Sequence, residues 1–177
     1  MSQVTLRGKP IHTLGHLPSV GKTVPNFTLV GSDLSEVTLS QFNGKTVLLN
    51  IFPSLDTDVC ALSVQKFNAE LAKHPEITVL HISKDLPFAM NRFCSTNKLE
   101  GATTLSAFNS NFGKDFGVEI QEGPMRGLLS RAVIILDEQG KVIYEEQVPE
   151  IGQEPDYKKA LSALGIDLAV SKGGNHA

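Results

Sequence analysis

The stretch Thr46-Val47-Leu48-Leu49-Asn50-Ile51-Phe52-Pro53-Ser54-Leu55-Asp56-Thr57-Asp58-Val59-Cys60 decides how this chain is read. Its first seven residues form a nearly continuous apolar run of strand length, the pattern of a strand buried on both faces. Pro53 cannot donate to a sheet ladder and stops the run. A short polar loop follows, and Cys60 then sits just inside a helix expected over 58–73. In the first turn of a helix the backbone N–H groups have no intrahelical partner, and the positive end of the helix dipole lies there. A thiol at that point occupies one of the environments that favour a thiolate.

The helix carries its own pattern. Cys60, Val64, Phe67 and Leu71 are spaced four, three and four, which places them on one helical face. Cys60 therefore belongs to the stripe that packs on the sheet, and Thr57, three residues earlier, brings a hydroxyl towards it. Working outward, buried strands are expected at 46–52, 77–83 and 132–136. A fourth at 142–148 pairs with 132–136 through Asp137-Glu138-Gln139-Gly140, and a weaker one lies near 103–107. Further helices are expected at 86–97 and 155–164. The first of these has Asp85 as a cap and Pro87 in its opening turn. Val4-Thr5-Leu6 and Ile11-His12-Thr13-Leu14 flank Arg7-Gly8-Lys9-Pro10 and read as an N-terminal hairpin. Strand, helix, strand, helix and an antiparallel pair define an α/β sandwich with a mixed sheet.

A chain of 177 residues fits one domain, spanning 1–177, with the Gly-rich stretch 171–177 as a flexible tail. The net charge of −3 and the lack of any basic run argue against nucleic acid as a partner. No stretch is long and apolar enough to cross a membrane. Met1 to Pro10 lacks the apolar segment of a secretion signal, so a cytoplasmic, reducing setting is expected. In that setting two cysteines point to redox or catalytic chemistry rather than a structural bridge.

Each candidate residue also has a plainer reading. Cys60 on position alone suits an inert buried thiol. Cys94, on the flank of the stripe Leu86, Met90 and Phe93, suits a surface-adjacent cysteine without a role. Thr57 suits a helix cap and Pro53 a strand stop. Arg131 suits a solvated strand end, with Arg92 and Arg126 as rivals. Phe88, Met90, Met125, Leu128 and Leu129 suit either an apolar entrance or core and dimer contacts. Ser63, not Cys, stands three residues after Cys60, which weakens a thioredoxin-type Cys-x-x-Cys reading. A zinc site from Cys60, Cys94, His74 and His81 lacks any ligand pair at the usual spacing.

Pro53, Thr57 and Cys60 match the Pro-x-x-x-Thr-x-x-Cys signature of the peroxiredoxins. The hairpin, Gly21-Lys22-Thr23-Val24-Pro25-Asn26-Phe27 and Ser130-Arg131-Ala132-Val133-Ile134 resemble one bacterial subgroup, the thiol peroxidases or atypical two-cysteine peroxiredoxins. The resemblance implies a thioredoxin-like fold, reduction of hydrogen peroxide and organic hydroperoxides, recycling by thioredoxin, and a homodimer. It implies no cofactor and no metal. It makes Cys60 the peroxidatic cysteine, Thr57 the hydrogen-bond partner of sulfur and peroxide, Pro53 the shield over the site, Arg131 the cation holding thiolate and peroxide oxygens, and Cys94 the resolving cysteine. A non-enzymatic redox sensor would use the same cysteine pair.

Overall fold

Why the segment 46–52 becomes a central strand is visible in its neighbours. The computed structural model describes residues 1–99 and 101–167, so the tail expected at 171–177 lies outside the described residues. Nine strands are described: β1 Gln3–Leu6, β2 Lys9–His12, β3 Thr28–Gly31, β4 Glu36–Thr38, β5 Thr46–Ile51, β6 Ile77–Ser83, β7 Thr103–Ser106, β8 Ala132–Leu136 and β9 Val142–Gln147. The helices are α1 Asp58–Leu71, α2 Pro87–Thr96, α3 Phe112–Asp115 and α4 Tyr157–Ala163, with a 3₁₀ turn at Leu39–Phe42. Seven strands form one sheet in the order β4-β3-β7-β6-β5-β8-β9. β5, β6 and β7 run parallel, and β8 reverses against β5. β5 thus has partners on both edges and layers on both faces, which an uninterrupted apolar run requires.

The two faces divide by residue parity, as strand side chains alternate. Val47, Leu49 and Ile51 join Leu80, Ile82, Ile134 and Leu136 beneath Phe27, Phe112, Phe116 and Leu129. Leu48, Val133 and Ile135 face Phe67 and Leu71 of α1 and Ala160 and Leu161 of α4. Closer to the end of β5, Phe52 and Leu55 pack with Cys60 and Val64 of α1 and with Met90 of α2. The motif stretch Val24 and Phe27 is buried, and its chain runs beside β9 through Gly21 N–H to the Val142 carbonyl.

The hairpin β1–β2 forms as expected but turns on Arg7 and Gly8 alone, with φ of 52° and 82°. Lys9 and Pro10 belong to β2, because a two-residue turn with both φ positive matches the twist of paired strands. Strands β3 and β4 and helix α3 were not expected. They are three or four residues long, too short for a period to register. Asp85 is not the cap of α2; Leu86 stands there without a side-chain cap bond, although Pro87 does open the helix. Leu86 is 50% exposed and so stands apart from the buried Met90. Among the described residues no helix is long and apolar enough to cross a membrane.

Candidate active site

The loop from Pro53 to Thr57 is built by hydrogen bonds that converge from two strands. Pro53 is buried at the end of β5, just after the last ladder bond, Phe52 N–H to the Ile82 carbonyl at 3.1 Å. Beyond it, Asp85 organises the loop. Its carboxylate accepts from Ser54 Oγ at 2.7 Å, from Leu55 N–H at 2.8 Å and from Ser83 Oγ at 2.6 Å. This is why Asp85 does not cap α2: its acceptor positions are taken by the neighbouring loop. Sequence spacing gave no signal for this role, since the partners Ser54 and Leu55 lie about thirty residues upstream.

Thr57 is the N-cap of α1. Its hydroxyl accepts from Cys60 N–H at 3.3 Å and donates to the Ser54 carbonyl at 3.1 Å. Cys60 is 0% exposed and lies in the cluster with Phe52, Val64 and Met90. No disulfide joins Cys60 to Cys94. Cys94 is half-buried on α2 and lines a small cleft of about 240 Å³ with Ser32, Asn91 and Thr104. The two cysteine helices meet through shared contacts: Phe93 packs on the Cys60 cluster, and Gln65 Nε2 donates to Asn97 Oδ1 at 3.0 Å.

Register sets Arg131 beside the end of β5. Ile51 pairs with Ala132, so the next antiparallel step sets Phe52 opposite Arg131. It immediately precedes β8, and its backbone carbonyl accepts from Val148 N–H at 2.9 Å. It is 2% exposed, whereas Arg92 and Arg126 are exposed and Arg92 pairs with Asp56 at 3.8 Å. Arg131 Nε and Nη2 both donate to the Ile151 carbonyl, at 3.0 and 2.8 Å. Nη1 is buried and has no hydrogen-bond partner among the described residues. Its positive charge reaches Glu154. Burial pushes that carboxyl up, but hydrogen bonds from Tyr157 and Lys66 and the charges of Lys66 and Arg131 hold it below its ordinary value.

Of the apolar residues weighed for an entrance, Met90 and Leu129 are core, and Met125 packs against the hairpin cluster. Phe88 is 65% exposed. The four zinc candidates are not assembled: among the described residues no three His, Cys, Asp or Glu side chains form a group that could hold a metal ion.

A polar plug under α1 was missed. Asn50 and His81 pair in register on β5 and β6, and both are fully buried. Asn50 Nδ2 donates to Ser63 Oγ at 3.3 Å and to His81 Nδ1 at 3.1 Å, and Ser63 Oγ donates to the Cys60 carbonyl at 2.8 Å. Polar residues interrupting two apolar strands were the available signal. Burial pushes the His81 imidazole down to about 4, from 6.5. The folded protein therefore keeps this ring neutral while the unfolded chain protonates it below about pH 6.5. Its contribution to stability is complete above pH 6.5 and is lost as pH falls towards 4. We expect about 2 kcal/mol of that loss between pH 7 and pH 5. Urea unfolding of wild type and His81→Gln checks this: the difference between their pH slopes measures the ring, and equal slopes refute it.

A thioredoxin-like sheet with a capped, buried cysteine at the start of its first long helix is the architecture of the peroxiredoxins. The comparisons agree. The Redoxin family model matches residues 19–161. The chain superposes on a peroxiredoxin-like protein from Aquifex aeolicus with a TM-score of 0.89, at 36% identity, covering 93% of this chain and 96% of that one. It also superposes on a thiol peroxidase from Chromobacterium violaceum with a TM-score of 0.86, a likeness of fold at 24% identity over 93% and 96% of the two chains. The thiol peroxidase of Mycobacterium tuberculosis is 54% identical over 165 residues, which is 93% of this chain and 99% of the relative. That of Corynebacterium glutamicum is 50% identical over 164 residues, again 93% and 99%. The chain belongs to the peroxiredoxin family, among its thiol peroxidases, and is a peroxidase.

Proposed function

We propose that Cys60 is the peroxidatic cysteine of this enzyme, that Cys94 resolves it, and that thioredoxin recycles the pair. The observation that carries this reading is a convergence. A buried sulfur stands at a helix start capped by Thr57, β5 leads into its loop while β8, the antiparallel neighbour of β5, follows Arg131, and that buried guanidinium keeps one donor open.

The Cys60 thiolate attacks the outer oxygen of a hydroperoxide, and the O–O bond breaks. Sulfur is oxidised to the sulfenic acid, the peroxide is reduced, and the departing alkoxide or hydroxide takes up a proton. Negative charge moves from sulfur to the leaving oxygen, so donors aimed at both oxygens stabilise the transition state. Arg131 Nη1 supplies one. Thr57 supplies another by turning its hydroxyl proton from the Ser54 carbonyl to the substrate. Pro53 closes the site against water. The Cys94 thiol then attacks the sulfenic sulfur, a disulfide forms and water leaves. A dithiol of thioredoxin reduces that disulfide and becomes oxidised in turn. Thioredoxin, a homodimer and a cytoplasmic setting come with the resemblance to the thiol peroxidases; hydrogen peroxide and organic hydroperoxides are the proposed substrates.

The test is peroxide-dependent NADPH oxidation coupled through thioredoxin and its reductase. Sustained turnover is the expected result. One equivalent of oxidation followed by arrest, with reduced thioredoxin present, would instead mark a redox sensor.

A further inference from the structure

The N-terminal hairpin lies outside the main sheet, yet hydrogen bonds tie it to Ile151, the residue that holds Arg131. Thr5 is the junction. Its N–H donates to the Pro149 carbonyl at 2.8 Å, and its own carbonyl accepts from Ile151 N–H at 2.8 Å. Glu150, between these two, is a clamp. Its Oε1 accepts from Thr5 Oγ1 at 2.9 Å and from Gly8 N–H at 3.0 Å. Its Oε2 accepts from Gly152 N–H at 2.9 Å and from Arg7 N–H at 3.4 Å. The backbone donors of Gly152 and Gly8 hold this carboxyl down at about 2, so it stays charged throughout the working range. Below the clamp, the Ile151 side chain packs with Val4, Ile11 and Ile120.

What this assembly presents is the Ile151 carbonyl, the atom to which Arg131 Nε and Nη2 both donate. Two bonds from one edge of a planar fork to one acceptor set the direction of the rest of the guanidinium. The hydrogen-bond partner is also neutral: the Ile151 carbonyl fixes the fork without neutralising it, Glu154 interacts with the guanidinium through its charge, and Nη1 stays open among the described residues.

We infer that the hairpin, clamped by Glu150, is a positioning element for the peroxide step: Thr5 and Glu150 fix the Ile151 carbonyl that aims Arg131 at the reacting oxygens. This rests on the role proposed above for Arg131.

The test isolates the first step by working in a Cys94→Ser background. Two quantities are measured: the second-order rate of Cys60 oxidation by hydrogen peroxide, and the ratio of Cys60 alkylation by iodoacetate to that by iodoacetamide. The anionic reagent reports positive charge beside the sulfur. We expect Glu150→Ala to slow oxidation roughly tenfold, since a small misplacement of an oriented group has that scale of effect. We expect it also to lower the iodoacetate ratio, and Glu150→Asp to recover most of both. The sign of the ratio is decisive. Removing a carboxylate by itself leaves an anion's approach unchanged or makes it easier, so an unchanged or raised ratio overturns the inference. A wild-type oxidation rate in Glu150→Ala overturns it too. Should Glu150→Ala fail to fold, Thr5→Val carries the test, because it removes one clamp bond and keeps the backbone ones. It should slow oxidation about two- to threefold on the same reasoning, and no change is the overturning result. Arg131→Gln run alongside separates the two levels. Wild-type oxidation in Arg131→Gln removes the role of Arg131 itself; a slow Arg131→Gln beside a fast Glu150→Ala removes the hairpin's role alone.

Discussion

Cys60→Ser protein should consume no peroxide in the thioredoxin-coupled assay, while Cys94→Ser should oxidise once and then stall. The first effect should reach the assay floor, a loss of roughly 10⁴-fold or more, because a hydroxyl at this position is neither ionised nor comparably nucleophilic. The second separates the two thiols by role. With Cys94 absent, Cys60 still reaches the sulfenic acid, so one equivalent of peroxide disappears. Thioredoxin-coupled turnover then falls to a few per cent. Full coupled activity in Cys60→Ser would remove the assignment. Mass mapping of oxidised wild type should find Cys60 joined to Cys94.

That bond requires the protein to move. Cys60 is enclosed by Phe52, Leu55, Val64 and Met90, and Cys94 belongs to a different helix. A disulfide needs its two Cα atoms within about 7 Å, and two thiols fixed in separate helices, one of them facing the core, are expected to need rearrangement to reach it. The first turn of α1 and the last turns of α2 should therefore unwind on oxidation. Closing a loop of this length is worth roughly 3–4 kcal/mol against the unfolded chain, which offsets part of the lost packing. Far-ultraviolet circular dichroism should show less helix in the oxidised form, and identical spectra would contradict the unwinding.

What could be read from the sequence was what is local. Cys60, Val64, Phe67 and Leu71 share a face because a helix repeats every 3.6 residues, and all four are buried. Thr57 caps α1 because a hydroxyl three residues ahead of an unpaired N–H reaches it. The strands 77–83 and 132–136 were legible to the residue from their apolar runs. What escaped depends on residues far apart in the chain. Asp85 looked like a cap because only the fold brings Ser54 and Leu55 to its carboxylate. His81 was weighed only as a zinc ligand and Asn50 not at all, because only the parallel register of β5 and β6 sets them side by side. Arg131 was distinguished from Arg92 and Arg126 by family resemblance and not by spacing. Its side chain is held by the Ile151 carbonyl, twenty residues on, which no window around position 131 contains.

Arg131→Gln should slow the oxidation of Cys60 by about 10²–10³-fold, the usual scale for removing one preorganised donor from a charge-developing site. Glutamine keeps a planar N–H donor for the Ile151 carbonyl but loses both the charge and the outward Nη1. Arg131→Lys restores the charge without the fork, so it should recover only part of the rate. Both variants also lose the paired bonds of the fork to the Ile151 carbonyl, and a weakened buried hydrogen bond costs about 1 kcal/mol of stability. Kinetics separate the two effects. In the proposed cycle thioredoxin reduces a disulfide that is already formed, and that step makes no use of a guanidinium aimed at peroxide oxygens. Stopped-flow measurement of each half-reaction should therefore show the loss confined to peroxide reduction, with reduction of the preformed disulfide near the wild-type rate. Equal losses in both halves would mean that Arg131 serves the fold and not the chemistry.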